Sequence, residues 1–190
     1  MTRITSRQNA QVKLARALRR RKAREAEGLF LIEGTFHLGA ALEADAPIEY
    51  ILVAPELLRG EFAPQLLERI RAAGIQSHEV SAKIMETLAG KDNPHGLLAV
   101  AKQRFTPLSS FVPQPSSLSL ALVSPADPGN LGSVLRTLDA AGGQALFLLD
   151  GGVDPYHPSA VRAAMGAHFQ LPIVQTGFDE FTAWAGQHGV

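Results

Sequence analysis

Residues 124–142 read Ser-Pro-Ala-Asp-Pro-Gly-Asn-Leu-Gly-Ser-Val-Leu-Arg-Thr-Leu-Asp-Ala-Ala-Gly. They follow an apolar run at 118–123 whose length and bounds suit a buried strand. A turn signal stands at Pro128-Gly129, Asn130 comes next, and a helix-forming run begins at Leu131. The order is strand, tight loop, helix start. In an open α/β sheet, that is where a ligand meets the carboxyl end of a strand.

The same pattern recurs downstream. A second apolar run at 144–149 leads into Val153-Asp154-Pro155-Tyr156-His157-Pro158-Ser159-Ala160-Val161-Arg162. Two prolines fix this loop. Ala160, Ala163, Ala164 and Ala167 are small enough to let a helix approach another backbone closely, and Arg162 projects from that helix. Helices are expected at 130–141 and 157–165, a strand at 171–175, and a final helix from Phe178.

Upstream, residues 106–117 hold three prolines and four serines in twelve positions, the composition of a semi-extended linker. The expected organisation is therefore a domain at 1–105, a linker at 106–117 and a second domain at 118–190. In the first domain the absence of Gly and Pro predicts one long helix over 8–27, ended by Gly28. Val12, Ala15 and Leu18 or Arg19 sit at helical spacing and give a narrow apolar stripe along it. Strands are expected at 29–32, 48–53, 75–80 and 95–101. Helices alternate with them at 36–42, 62–73 and 82–88, and Asp92-Asn93-Pro94 makes a turn. Such alternation implies a mostly parallel sheet covered on both faces, an α/β fold in each domain.

The 190 residues are 46% hydrophobic and 19% charged, the balance of a soluble globular protein. There is no cysteine, which excludes disulfides and thiolate metal sites and agrees with a cytoplasmic setting. The first residues lack the apolar core of a secretory signal, and no run is long enough to span a bilayer, so no membrane partner is expected. His157 and His168 have no third ligand beside them, so no metal is expected.

A net charge of zero conceals a strong asymmetry. Residues 1–30 contain nine Lys or Arg against Glu25 and Glu27, a surplus of +7 that the rest of the chain cancels. Arg19, Arg20, Arg21 and Lys22 surround one helical turn, while Lys13, Arg16 and Arg20 run along one side. These are candidates for contact with an RNA backbone. A solvated helix face is the plain alternative, and the scarcity of bulky apolar residues opposite disfavours a membrane surface.

Local chemistry leaves the 127–136 loop open to two readings. Gly129 and Gly132 allow close backbone approach to a ligand, and Asn130 can both cap the helix and bind. Equally, the segment is a capped turn followed by a surface arginine. A Gly-x-x-Gly pair is not the dinucleotide fingerprint.

Taken together, the two loops resemble a known family. Asp-Pro-Gly-Asn-Leu-Gly-x-x-x-Arg-Thr at 127–137, followed by Asp-Pro-Tyr-x-Pro-x-x-Val-Arg-x-x-Met-Gly-Ala-x-Phe-x-x-Pro at 154–172, looks like the signature of the SpoU (TrmH-type) RNA ribose methyltransferases of the SPOUT superfamily. Residues 28–34 and 93–100 are similar to that family's accessory RNA-binding domain, which resembles a small ribosomal protein. The resemblance implies transfer of a methyl group from S-adenosylmethionine to a ribose 2′-hydroxyl of ribosomal or transfer RNA. It also implies a parallel-sheet catalytic domain whose C-terminal segment threads a knot, working as a homodimer.

Carried over by position, Arg136 is the catalytic arginine and Asn130 its neighbour, with Arg162 on the RNA side. A guanidinium can hold the target phosphate and stabilise a developing alkoxide, but it is a poor proton acceptor near neutral pH. The family's later motifs, Gly-x-Glu-x-x-Gly and a Pro-led Ser-Leu-Asn segment, build its cofactor pocket, and neither occurs up to Val190. The expectation is a fragment of a methyltransferase that does not itself bind S-adenosylmethionine tightly. The alternatives are a non-catalytic RNA-binding protein that retains the fold and an unrelated α/β nucleotide-binding domain.

Overall fold

The computed structural model divides the chain into two compact units, residues 1–103 and 104–190, and describes residues 2–60, 62–89 and 94–190. The turn expected at Asp92-Asn93 lies outside the described residues.

The first unit runs β1 (Thr2–Ile4), α1 (Ala10–Ala17), α2 (Arg21–Glu27), β2 (Leu29–Glu33), α3 (Thr35–Glu43), β3 (Ile48–Val53), α4 (Phe62–Ala72), β4 (Ser77–Val80), α5 (Ala82–Leu88) and β5 (Leu97–Lys102). Its strands form one sheet in the order β1-β4-β3-β5-β2. The parallel pairs are β1 with β4 and β4 with β3, while β5 runs antiparallel to both β3 and β2. The sheet is thus mixed rather than mostly parallel. Strand β5 therefore enters the sheet from the end where β4 finished.

The helix expected over 8–27 is two helices. Arg20 is extended at φ −97°, ψ 136° and separates α1 from α2. Leu18 is fully buried, and the buried Arg24 guanidinium donates to the carbonyls of Leu18 at 2.8 Å and Arg19 at 3.0 Å. These bonds satisfy carbonyls that the end of α1 would otherwise leave without partners. Helix propensity cannot see a cap supplied from the next helix. The apolar stripe is where the sequence places it: Val12, Ala15 and Leu18 pack with Leu31, Leu52 and Val100.

In the second unit, β6 (Ser119–Val123), α6 (Pro128–Ala140), β7 (Ala145–Leu149), α7 (Pro158–Ala163), β8 (Ile173–Thr176) and α8 (Phe178–His188) follow in order. The sheet order is β6-β7-β8, parallel throughout. All of β7 is buried. Its two faces separate cleanly, with Leu146 and Leu148 against Leu131, Leu135 and Leu138 of α6, and Phe147 against Trp184 of α8. Strand β6 lies at the sheet's edge and is only half-buried.

Residues 106–117, expected as a linker, pack on this unit. Thr106 N donates to the Ile173 carbonyl at 2.9 Å, and Gln114 N to Gln144 Oε1 at 3.0 Å. Leu108 and Phe111 are buried in the Phe147–Trp184 cluster. Proline and serine leave a single 3-10 turn at Leu108–Ser110 here, and the two apolar anchors still bury themselves.

Candidate functional site

The loops at the carboxyl ends of β6 and β7 are stitched together mostly by backbone. Ser124 N donates to the Leu149 carbonyl at 2.9 Å, and Val153 N to the Pro125 carbonyl at 2.7 Å. Ser124 Oγ donates to the Asp150 carbonyl at 3.2 Å. The Asp150 carboxylate accepts from Phe178 N at 2.9 Å and so caps the start of α8. Two non-glycine residues are held at positive φ here, Ser124 at 44° and Asp150 at 55°. Each costs on the order of 1–2 kcal/mol, and such strain persists where the surroundings over-determine it, commonly at functional sites. Gly152 has no alternative, since a Cβ there would lie 2.6 Å from the Pro125 oxygen. The Gly-Gly pair at 151–152 was visible in the sequence, but nothing in it signals the strain at Ser124.

Helix α6 starts two residues earlier than expected. Asp127 is its N-cap, accepting from Asn130 N at 2.7 Å, with Pro128 in the first turn. Asn130 is therefore inside the first turn and exposed, its side chain not needed as the cap. Arg136 is exposed further along the same helix. The two are six positions apart, roughly 9 Å along the axis and about 120° around it, so they share the helix that leaves the rim without converging on one point.

Behind them α6 and α7 touch backbone to backbone. A Cβ on Gly132 would stand 2.3 Å from the Ala160 oxygen and 2.7 Å from Ala163 Cβ. The small residues of α7 have the use expected of them, and Arg162 on the same helix is half-buried.

The second loop is fixed by its own side chains. Asp154 is buried and accepts from Tyr156 N at 2.8 Å. The Tyr156 hydroxyl donates to the Arg104 carbonyl at 2.6 Å and accepts from Arg104 N at 2.8 Å. Burial pushes this phenol up to about 12. His157 caps α7, its Nδ1 accepting from Ser159 N at 3.2 Å, and His168 Nε2 lies 2.5 Å from the Pro155 carbonyl oxygen. Both histidines therefore have local structural contacts. Among the described residues, no group of three His, Cys, Asp or Glu could hold a metal ion.

A cavity of about 580 Å³ opens elsewhere on this unit, between β6, residues 111–117 and the end of α8, lined in part by Phe111, Ser117, Trp184 and His188. It reaches Ser119, at the opposite end of β6 from Ser124, and is separate from the rim.

In the first unit the structure divides the basic candidates. Arg19 is taken up internally, its Nε donating to the Leu88 carbonyl at 2.8 Å and its guanidinium pairing with Glu33. Arg21 pairs with Glu25 at 2.6 Å on the surface. Lys13, Arg16, Arg20 and Lys22 are exposed, with Arg16 reaching Thr87 Oγ1 at 3.4 Å.

Comparison with known proteins covers both units. Residues 9–99 match the MRM3-like substrate binding domain, and residues 117–190 match the SpoU rRNA Methylase family. The chain is 30% identical over 190 residues to a 23S rRNA (guanosine(2553)-2'-O)-methyltransferase of Bacillus subtilis, covering 100% of this chain and 71% of that one. It is 34% identical over 169 residues to a tRNA/rRNA methyltransferase of Synechocystis sp., covering 89% of this chain and 60% of the other. The crystal structure of AdoMet-bound rRNA methyltransferase from Sinorhizobium meliloti aligns with a TM-score of 0.86 at 32% identity, over 98% of this chain and 69% of that one. The chain thus spans from 60% to 71% of the length of these three proteins. Among the described residues, no helix is long and apolar enough to cross a membrane.

Proposed function

The chain belongs to the SpoU rRNA methylase family, and on that premise we propose that it serves methyl transfer from S-adenosylmethionine to a ribose 2′-hydroxyl of ribosomal or transfer RNA. The observation that carries this reading is the strained rim at Ser124 and Asp150, with Arg136 exposed on the helix that leaves it. The first unit is the substrate-binding part and the second the catalytic part. A homodimer, by the same resemblance, in a reducing cytoplasm that the lack of cysteine suits, completes the reading.

S-adenosylmethionine supplies an electrophilic methyl group when bound. Ser124, Asp150, Gly151, Gly152 and Gly177 are all exposed, so the residues present fit one wall of a site for it and do not enclose it. The chain's own contribution is to position RNA. Arg136 holds the phosphate beside the target ribose, and its fixed charge favours the hydroxyl oxygen as that oxygen becomes negative. Asn130 offers an amide to the same ribose, and Arg162 a second cation to the backbone. Lys13, Arg16, Arg20, Arg21 and Lys22 give the first unit a sequence-independent hold.

The test is methyl incorporation into ribosomal RNA from radiolabelled S-adenosylmethionine by the protein purified from its own cells. Arg136→Ala is expected to lower turnover by about 10²–10³-fold with an unchanged melting curve; undiminished turnover would remove the assigned role. A second reading, RNA binding without catalysis, is favoured by the open rim. Calorimetry separates the two, because the catalytic reading requires S-adenosylmethionine to bind the protein from cells.

A further inference from the structure

The internal bonds of Arg19 fix where the exposed arginines around it stand. Its guanidinium spans the Leu88 carbonyl, at the end of α5, and the Glu33 carboxylate, at the end of β2. Arg16 reaches Thr87 on the same end of α5. Exposed Arg16 and Arg20 therefore stand at the edge of the first unit where β2 stops. At that edge the chain turns through Gly34 at φ +90°, and the exposed His95 ring lies over it, 3.5 Å from where a Cβ would be.

Two residues later, in the first turn of α3, Phe36 is 54% exposed. Its neighbour His37 meets it edge-on, with ring centroids 5.5 Å apart, and is itself anchored with Nδ1 3.1 Å from the Glu33 carbonyl oxygen. Leaving half of a phenyl ring in water forfeits burial energy that a core position would recover. Exposed cations able to meet phosphates thus lie toward the same edge as this aromatic side chain, and proteins that take up unpaired nucleotides combine the two.

We infer that this corner of the first unit is a base-binding site, in which Phe36 stacks on an unpaired base of the RNA while Arg16 and Arg20 hold the flanking phosphates. The inference rests on the RNA reading of the unit and narrows it to single-stranded or looped RNA. A base inside a duplex already has neighbours on both faces and cannot stack on the ring.

The probes are a labelled single-stranded oligouridylate and a blunt RNA duplex of equal length, titrated against the whole chain over a range of salt. The native chain should prefer the single strand. Phe36→Ala should weaken that binding about tenfold, the scale of one lost base stack, and leave both the salt slope and duplex binding unchanged. Phe36→Trp should restore it. Arg16→Gln with Arg20→Gln should instead flatten the slope, by roughly 0.7 per lost phosphate contact on a single strand. Phe36→Leu keeps an apolar side chain on the helix and should melt like the native protein while binding like the alanine variant. Native-like single-strand binding by both Phe36→Ala and Phe36→Leu overturns the inference and leaves the RNA reading standing. A native chain that binds neither probe at any salt overturns both.

Discussion

At residues 18–24 two arginines, Arg19 and Arg24, turn inward and the backbone is relaxed, whereas at 124–152 the polar side chains face water and the backbone is strained at Ser124 and Asp150. Arg24 is 1% exposed and serves two carbonyls, and Arg19 bridges a carbonyl and a carboxylate. Ser124 and Asp150 sit exposed at positive φ. The densest positive run in the sequence therefore holds the fold as well as leaving charge exposed at its surface. The rim, less conspicuous in composition, carries a conformational cost that packing alone does not require.

The sharpest way to break this contrast is to disturb the support of the rim. Gly132→Ala should destabilise the second unit by roughly 3 kcal/mol, because its Cβ meets backbone that cannot swing aside. Trp184 is the single tryptophan of the chain and lies in that unit, so urea unfolding followed by its fluorescence reads the effect there. Gly28→Ala is the control: its φ is +63° but nothing crowds it, and the loss should be only about 1 kcal/mol.

Next in size is Arg24→Leu, which leaves the Leu18 and Arg19 carbonyls without their donor. A loss of about 2 kcal/mol is expected, read by circular dichroism, with the Trp184 transition unmoved. If Arg24→Leu were neutral, the inward-facing half of the comparison would fail. Ser124→Gly tests the other half in the opposite direction. Relief of the strain should raise stability by about 1 kcal/mol in thermal melts, and a loss would show that Ser124 is comfortable where it is.

The smallest effect concerns pH. His78 on β4 is buried, with neither ring nitrogen hydrogen-bonded among the described residues, and burial lowers its pKa from the usual histidine value. The unfolded chain then takes up the proton first. Stability should be intact above the ordinary histidine range and fall as pH drops through it. His78→Leu should remove that part of the slope, and an unchanged acid profile would show that His78 does not contribute.

The legibility of the chain follows from where each signal resides. The apolar run at 145–149 needed no context, since only a fully buried strand suits it, and β7 is buried throughout. Helix α6 starts two residues before the expected position, because Asp127 and Asn130 are both good caps and only the adjoining Pro128 favours the first. The break after Leu18 was invisible because its cause, the Arg24 side chain, acts through space. Strand β1 is three residues long and has no pattern of its own; its pairing with β4 makes it a strand. In the site, the arginines could be named from motif order. The positive φ at Ser124 could not, since serine carries no bias that announces it.

The seam between α6 and α7 also bears on how variation in this protein will be interpreted. With a carbonyl oxygen 2.3 Å from where any side chain at Gly132 would begin, that position should tolerate no replacement, as strictly as Arg136 in a screen for activity. Counting survivors would rank the two together. Measuring soluble yield beside turnover would separate them, since one is barred by space and the other, in the role proposed for it, by chemistry.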